Sequence, residues 1–501
     1  MVRRIHTVAN TVKQHLPAYL TFYGLFHVVV ATLAVLGKYL LPDFWTDIPD
    51  VILFLLLFFG CLVVLLFGGN KEYPPVIFPE LKKNEFRLLS VFFIIAAVNT
   101  FCAWMAQGGS PYAHFSYIFF AAANIFASYP LGAYLGRSGR DLCFRRVMRL
   151  LTWGICVFIL FGVIWAFIGD PAAKASRHFY VYGGRGRLWL NVNPNVSGML
   201  CCLLLMMLPY SFYGMPRGKK ILSFVLTGAV LSGGLLFTDC RAAILALGIG
   251  VSLAGGVCLW EKYSHLSALK RLCIVIAGMG AIWIVLFVWR QLFRQQIALL
   301  LEDIAAEKER LLALRSTLGV AAGKEHPFAP AAMTLGAKGT DAIQSPLSAP
   351  ARLAISDRNA DARLWIWESV FLCLKNNPSY ILHGCGLVEI SQTLAENGCA
   401  GFANTHNQLL DILLGLGLPT FLLFMGWLLL LGKKCLQLGL CREQPWARRI
   451  LPVVILAILI CNMFEARLLF FRWTAGDVFF LLAGYIFGLM EKRKPGKEQM
   501  S

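Results

Sequence analysis

Long apolar runs separated by short polar loops recur along most of this chain. A run of about 18 or more apolar residues can cross a ~30 Å hydrocarbon core as a helix. The pattern predicts twelve membrane-spanning helices, at about 17–41, 50–67, 86–105, 115–135, 149–169, 194–213, 220–237, 242–260, 271–289, 407–431, 449–464 and 474–490. We therefore expect an all-α polytopic membrane protein.

Composition supports this class. Of the 501 residues, 58% are hydrophobic and 15% are charged, against ~45–50% and ~25% in soluble domains. A net charge of +19 suits nucleic acid only when the basic residues form a stripe on one soluble face. Here they lie in short loops between apolar runs. Membrane lipids are therefore the expected charged partners, and nucleic acid is not.

Lysine and arginine also predict the orientation. They are several times more frequent in the N-terminal tail, the even-numbered loops and the C-terminal tail than in the odd-numbered short loops. This bias places both termini in the cytoplasm and the long loop outside. It divides the chain into nine spans over 1–289, a periplasmic loop domain over 290–406, three spans over 407–490 and a cytoplasmic tail over 491–501. Residues 1–14 lead into a retained first helix rather than a signal peptide.

The long loop between spans nine and ten has three parts. Residues 291–316 have apolar positions at helical spacing, which predicts an amphipathic helix extending the ninth span outward. The Ala/Gly/Pro-rich stretch 317–350 lacks periodicity and is expected to be flexible. A second helix, capped by Ser356 or Asp357, carries Trp365 and Trp367, which favour the headgroup level.

The mouth of the sixth span can bind an anion. Asn193 suits a helix cap and Pro194 suits the first turn. Asn195 follows, and Arg185 and Arg187 precede them. A helix N-terminus with two arginines nearby favours a phosphate; the alternative is a plain cap with solvated arginines.

Two further arginines lie in outward segments. Arg241 follows Asp239 between two very apolar runs, where an arginine needs a partner. That partner is either Asp239, in a turn pair, or a ligand diphosphate. Arg363 begins the second loop helix and either binds a ligand or pairs with Glu368 or Asp361.

A histidine ends the long loop, in Asn404-Thr405-His406-Asn407. A neutral imidazole can accept a proton from a hydroxyl at physiological pH. Asn404 or Asn407 can fix its tautomer, whereas Asp411 is poorly placed on the helix face. A structural role for His406 stays open at this point.

The last outward loop carries Glu465 with Arg467 and Arg472, which we interpret as an ion pair at a helix end. No HxxxH, HExxH or CxxC pair occurs, and neither a Walker loop nor a GxSxG elbow does. We therefore expect no metal and no cofactor. Cys385 and Cys399 are expected to form either a disulfide or two free thiols.

Taken together, these motifs resemble the O-antigen ligase family, in the superfamily shared with O-antigen polymerases and bacterial protein O-oligosaccharyltransferases. The resemblance rests on their order and spacing over about 185–420: Asn193-Pro194-Asn195, Thr238-Asp239-Cys240-Arg241, Arg363-Leu-Trp-Ile-Trp, Gly384-Cys385-Gly386, Thr405-His406-Asn407 and Gly415-Leu416-Gly417.

The resemblance implies a metal-independent, inverting glycosyltransferase of the bacterial inner membrane. Its donor would be a glycan on undecaprenyl diphosphate, and its acceptor a hydroxyl of lipid A-core on the periplasmic face. His406 would activate that hydroxyl. Arg241 and Arg363 would hold the diphosphate, with Arg185 and Arg187 as secondary anion holders.

Two alternatives remain. One is a polymerase or protein O-oligosaccharyltransferase of the same superfamily, which would differ in the acceptor. The other is a transporter of lipid-linked sugar. Transporters place their polar sites near the bilayer midplane in repeated halves, and this chain has no evident internal repeat.

Overall fold

We describe the protein from a computed structural model. The structure describes residues 83–108, 114, 117–118, 121–122, 124–168, 179–182, 185–188, 194–238, 240–317, 359–399, 401–402, 404–441, 443–465, 469 and 475–491.

Within these ranges the chain is a helical bundle. Its helices are α1 (Asn84–Gln107), α2 (Tyr129–Arg137, preceded by a π-turn at Asn124–Ser128), α3 (Asp141–Ile168), α4 (Pro194–Ser211), α5 (Arg217–Thr238), α6 (Arg241–Lys262), α7 (Ala268–Thr317), α8 (Asn359–Asn376), α9 (Tyr380–His383), α10 (Ile390–Glu396), α11 (Gln408–Leu440), α12 (Trp446–Arg449), α13 (Leu451–Asn462) and α14 (Ala475–Glu491).

The predicted helical membrane fold is confirmed. Among the described residues, five helices are long and apolar enough to cross a membrane: Asn84–Ala106, Arg217–Thr238, Arg241–Lys262, Ala268–Leu292 and Gln408–Leu440. Each predicted span from the third onward coincides with helical residues. The first two spans lie outside the described residues, so the total of twelve stays a prediction.

The long loop keeps its predicted helices. The ninth span continues outward without interruption, because α7 is a single helix of 50 residues. The second loop helix is α8. The flexible stretch predicted at 317–350 and the caps Ser356 and Asp357 fall outside the described part of the chain, except that Thr317 ends α7.

One short hairpin adds to the helical architecture. Strands β1 (Phe179–Tyr182) and β2 (Arg185–Leu188) pair antiparallel, with Tyr182 opposite Arg185. Aromatic and β-branched residues in β1 favour this conformation. Gly183 and Gly184 separate the strands in sequence, as two-residue hairpin turns prefer. The hairpin precedes α4, and β2 lies next to α5 and α7.

Helices α2 and α14 pack backbone against backbone. Each carries two glycines four residues apart, Gly132 and Gly136 on α2, Gly484 and Gly488 on α14. A Cβ at any of these positions would overlap backbone atoms of the other helix. Small residues at this spacing allow close helix approach in membranes. This contact anchors α14 in the bundle.

Charged residues collect at one end of the bundle, which we call the basic end. Asp141 accepts hydrogen bonds from Tyr210 (2.7 Å) and Tyr485 (2.6 Å). It also forms ion pairs with Arg145 at 2.8 Å and Arg448 at 3.2 Å. These residues come from α3, α4, α12 and α14. The cluster therefore holds parts of α3, α4, α12 and α14 together at the basic end.

The opposite end, where α4, α6 and α11 begin, we call the site end. There α11 is broken: Gly417 has φ 81° and ψ 169°. The break frees backbone carbonyls from helical bonding, and those of three consecutive residues find other donors. Leu414 O accepts from Cys385 N at 2.8 Å, and Gly415 O accepts from Gly386 N at 3.0 Å. Leu416 O accepts from Asn99 Nδ2 at 2.8 Å.

Candidate active site

The loop that ends in His406 is held by its own side chains. Asp411 Oδ1 accepts from Thr405 N at 2.9 Å and lies 2.7 Å from the Thr405 hydroxyl. Asn407 Oδ1 caps α11 by accepting from Leu409 N and Leu410 N. Trp367 Nε1 on α8 donates to Thr405 O at 3.2 Å. These bonds fix the loop before any ligand binds.

His406 has an unusual backbone conformation within this loop. Its φ is 53°, the one positive φ outside glycine in the described residues. Histidine visits this region more readily than most side chains. Asn404 Oδ1 accepts from His406 N at 2.9 Å, which stabilises the turn. The imidazole remains 29% exposed.

A buried carboxylate faces this imidazole. Glu465 Oε2 lies 3.5 Å from His406 Nδ1, a close approach that is longer than a good hydrogen bond. Glu465 Oε1 accepts from Asn195 Nδ2 at 2.6 Å and from Arg363 at 2.8 Å. The Glu465 side chain is only 4% exposed. One carboxylate thus joins the start of α4, the start of α8 and the histidine loop.

Aromatic rings surround this carboxylate cluster. The Arg363 guanidinium lies over the Phe464 ring, 5.7 Å from its centroid. Phe402 packs edge-on against the His406 ring, with centroids 6.2 Å apart. Rings on both sides limit the paths by which Arg363 and His406 can move.

Arg241 borders the same cluster through its neighbours. It begins α6 and is exposed. The preceding Cys240 has its Sγ 3.6 Å from Asn195 O. A Cβ on Gly198 would overlap Cys240, so α4 and α6 start in close contact. Arg241 therefore lies beside the helix start that supplies Asn195.

The structure describes the other predicted anion-binding residues only in part. Arg185 and Arg187 belong to β2, next to α5 and α7, and their side chains lie outside the described part. Asn193, Arg467 and Arg472 fall outside the described residues, as does Asp239.

The structure differs from two sequence-based interpretations. Arg363 pairs with Glu465 rather than with Glu368, because α8 begins beside the end of α13; the Asp361 side chain lies outside the described part of the chain. The side-chain oxygens of Asn404 and Asn407 accept from backbone N–H groups instead of the imidazole. Glu465 Oε2 faces the imidazole at 3.5 Å from Nδ1.

Glu465 itself was assigned a smaller role from sequence, as half of an ion pair at a helix end. Its partners Asn195 and Arg363 lie 270 and 102 residues away in the chain, so no local pattern reveals them. One signal was present: an acidic residue bordering an apolar run is costly and marks a functional position by default.

A second buried histidine–carboxylate pair lies apart from this cluster. His114 Nε2 is 3.5 Å from Glu389 Oε1, with side chains 4% and 11% exposed. A Cβ on Gly386 would meet both Glu389 and Ala103. The pair therefore joins the segment after α1 to the loop that holds the broken α11.

The two loop cysteines are not joined by a disulfide in the structure. Cys385 and Cys399 are both buried thiols, which agrees with the second of the two states expected for them. Burial raises the pKa of the Cys385 thiol to about 12 and also raises the pKa of the Cys399 thiol. Both therefore remain protonated at neutral pH.

A family model described as O-Antigen ligase matches residues 226–425, from within α5 to within α11. Arg241, Arg363 and His406 lie inside the match, while Asn195 and Glu465 lie outside it. No curated protein matches the chain. The resemblance predicted from the motifs is confirmed over this part of the chain: residues 226–425 match the O-antigen ligase family.

Proposed function

We propose that this protein transfers a glycan from undecaprenyl diphosphate to an acceptor hydroxyl, with lipid A-core as the acceptor. The observation that carries the proposal is the cluster in which Glu465 joins Arg363, Asn195 and His406. A general base and a cation beside it are the two groups this reaction needs.

His406 acts as the base. With Nδ1–H directed at Glu465, the imidazole presents unprotonated Nε2 to the acceptor hydroxyl. That hydroxyl oxygen attacks the anomeric carbon, and its proton moves to Nε2. The bond from the anomeric carbon to the diphosphate breaks, releasing undecaprenyl diphosphate and inverting the configuration. The 3.5 Å separation from Glu465 shortens when substrate binds, as is common for catalytic bonds.

The arginines hold the leaving group. Arg363 already uses one nitrogen for Glu465, and its remaining guanidinium edge binds phosphate oxygens. Arg241 adds a second cation at the start of α6. Neutralising the diphosphate stabilises the charge that develops as the bond breaks. The starts of α4, α6 and α11 also favour an anion here.

The placement in the cell is part of the proposal. The basic end, with Arg145 and Arg448, lies opposite the end that carries His406. An excess of arginine on the cytoplasmic side supports a site at the periplasmic face of the bacterial inner membrane. This arrangement supports a lipid-borne donor that is already activated, with no metal or cofactor involved in the proposed steps.

One reaction tests the function and its acceptor. Purified protein is incubated with undecaprenyl-diphosphate glycan and either rough lipopolysaccharide or a pilin-type peptide. We expect glycan on lipopolysaccharide, and none with the variant His406→Ala. Glycan on the peptide or only longer glycan chains would assign the acceptor to another branch of the superfamily. Full transfer by His406→Ala would contradict the role of the base.

A conservative change tests the donor site. Arg241→Lys keeps the charge but loses the planar fork that suits phosphate. We expect roughly tenfold lower transfer, equivalent to ~1.4 kcal/mol, with weaker donor binding. The exposed Arg217 at the basic end provides the matched control, Arg217→Lys. Unchanged transfer and donor affinity in Arg241→Lys would limit Arg241 to a structural role.

A further inference from the structure

An apolar groove opens at the basic end, far from the His406 cluster. It has a volume of about 720 Å³ and lies between α6, α7, α11 and the pair formed by α12 and α13. We call it the leaflet groove; its sides include Ser252, Trp260, Leu436 and Val453. Leu436 is 68% exposed, so the groove is open at the side of the bundle. An apolar surface of this kind faces lipid in a membrane helix bundle.

The length of the groove matches one leaflet. On α6 its sides run from Ser252 to Glu261, which at ~1.5 Å per residue corresponds to about 15 Å. Half of a ~30 Å hydrocarbon core has the same depth. A chain entering from the basic end would therefore reach the bilayer centre and stop there.

The mouth of the groove has the features of a headgroup level. Trp260 and Trp446 are 39% and 43% exposed, and tryptophan concentrates at membrane interfaces. Arg449 and Glu261 lie at the mouth and form a bidentate ion pair, in which Arg449 Nη1 is 3.0 Å from Glu261 Oε2. This pair is neutral as a whole, so it does not repel either sign of charge.

One cation at the mouth lacks a neutralising carboxylate among the described residues. Arg271 lies over the Trp260 ring, 5.1 Å from its centroid. Its Nε and one terminal nitrogen donate to the backbone carbonyls of Leu266 and Ser264, at 2.9 and 2.8 Å. Carbonyls hold the guanidinium in place but leave its positive charge unbalanced. An anionic headgroup is complementary to it.

We propose that the leaflet groove binds a phospholipid of the leaflet at the basic end, with an acyl chain along α6 and α11 and an anionic headgroup at Arg271. The occupant is a membrane phospholipid, not the polyprenyl donor, because the donor's diphosphate belongs at the site end. The exclusion of the polyprenyl donor rests on the proposed function, whereas the binding of a lipid chain in the leaflet groove does not.

Glycines on α11 allow a direct test. Gly432 lines the groove, and a Cβ added there has nothing within 4 Å, so Gly432→Leu fills the groove without a clash. Gly426 lies on the same helix outside the lining and is equally open. Gly426→Leu is therefore a matched control with the same gain in helix propensity. Gly439→Leu, where the nearest atom is 4.0 Å away, is a second groove variant if Gly432→Leu does not fold.

The measurement is native mass spectrometry of the full-length protein. The protein is released from vesicles containing equal amounts of phosphatidylethanolamine and phosphatidylglycerol. We expect bound phospholipid, enriched in phosphatidylglycerol, on the wild type and on Gly426→Leu. Gly432→Leu should carry about tenfold less, because overlap with the inserted side chain opposes binding.

A separate variant tests whether the charge of Arg271 contributes to the preference for an anionic headgroup. Arg271→Gln should lower the preference for phosphatidylglycerol about fivefold, the value expected for one basic residue at the membrane surface, while Arg217→Gln should not. Three results would overturn the proposal: equal lipid on Gly432→Leu and Gly426→Leu, no retained phospholipid on the wild type, or a recovered polyprenyl lipid.

Discussion

At the scale of single residues, Glu465 stands out because it is buried and yet contacts polar groups from separate elements. Removing a carboxylate from water costs several kcal/mol unless partners compensate. Asn195 and Arg363 supply that compensation through Oε1, which leaves Oε2 directed at His406. The carboxylate is therefore suited to orient the imidazole without itself touching substrate.

Replacing Glu465 by Gln tests this positioning role. The amide can keep one acceptor for Asn195 and Arg363 but offers His406 a much weaker partner. We expect kcat to fall about 100-fold, the upper value for groups that orient metal-bound histidines, with little change in donor KM. Steady-state kinetics with varied donor separates the two parameters.

The control for that variant is Glu368→Gln. Glu368 is exposed on α8, five residues from Arg363, so its removal should leave kcat unchanged. An equal loss in both variants, or a rise in donor KM without a change in kcat, would refute orientation of His406 by Glu465.

The second buried pair predicts a pH-dependent stability. Burial raises the pKa of Glu389 above its ordinary 4.5, and the adjacent His114 opposes part of the rise. The folded chain then binds more protons than the unfolded chain between 4.5 and the raised value. In that window the free energy of unfolding falls as pH rises.

Glu389→Gln should remove this dependence. Thermal unfolding in detergent, from about pH 4 to about pH 7, should show the wild type losing stability relative to the variant. Glu396→Gln, a change at an exposed carboxyl that bonds Gln392, should follow the wild type. Parallel curves for wild type and Glu389→Gln would contradict the assignment.

At the scale of elements, close glycine packing decides where α14 sits. Since a Cβ on Gly484 would meet the Tyr129 backbone, Gly484→Ala must push α2 and α14 apart. We expect a loss of about 1–3 kcal/mol, the usual cost of overpacking, seen as a lower Tm. Gly233→Ala is the control, because a Cβ there meets nothing within 4 Å.

The helices were predictable from sequence for a simple reason. Apolar runs such as the one in α5 report directly on burial in lipid, and their lengths follow from membrane thickness. The break in α11 was harder to predict from the sequence. Gly417 and Pro419 permit it, but its stability comes from Cys385, Gly386 and Asn99, whose pairing with α11 is a tertiary contact that periodicity does not encode.

The same limit applies to the site. His406 and Arg363 were identified from their positions at the edges of apolar segments. Glu465 was not identified as their common partner, because its contacts connect residues from distant parts of the chain. The local sequence pattern identifies polar residues in apolar surroundings, but it does not indicate which of them are in contact in the folded protein.

At the scale of the whole molecule, the two ends differ in charge and in chemistry. The basic end holds the Asp141 and Glu261 ion pairs, and the site end holds the Glu465 cluster. If the basic end faces the cytoplasm, exposed positions at the two ends should differ in accessibility in intact cells.

Cysteine labelling tests this orientation. Glu396 on α10 and Ser264 after α6 are both exposed, at the site end and the basic end respectively. A membrane-impermeant maleimide should label Glu396→Cys but not Ser264→Cys in intact cells, above the wild-type background. Both should react after the membrane is permeabilised. The reverse pattern would invert the predicted topology.

The break at Gly417 also changes where the loop domain ends in the structure. By sequence the loop domain ends at residue 406, yet the short helical segment from Gln408 to the break is bonded to the 384–386 loop. These hydrogen bonds join that segment, and the histidine loop before it, to the 384–386 loop. Glu465, just beyond α13, belongs to the bundle. Any movement of the histidine loop relative to α13 would change the 3.5 Å distance between His406 and Glu465, so this distance reports whether the two side chains are placed for the proposed transfer.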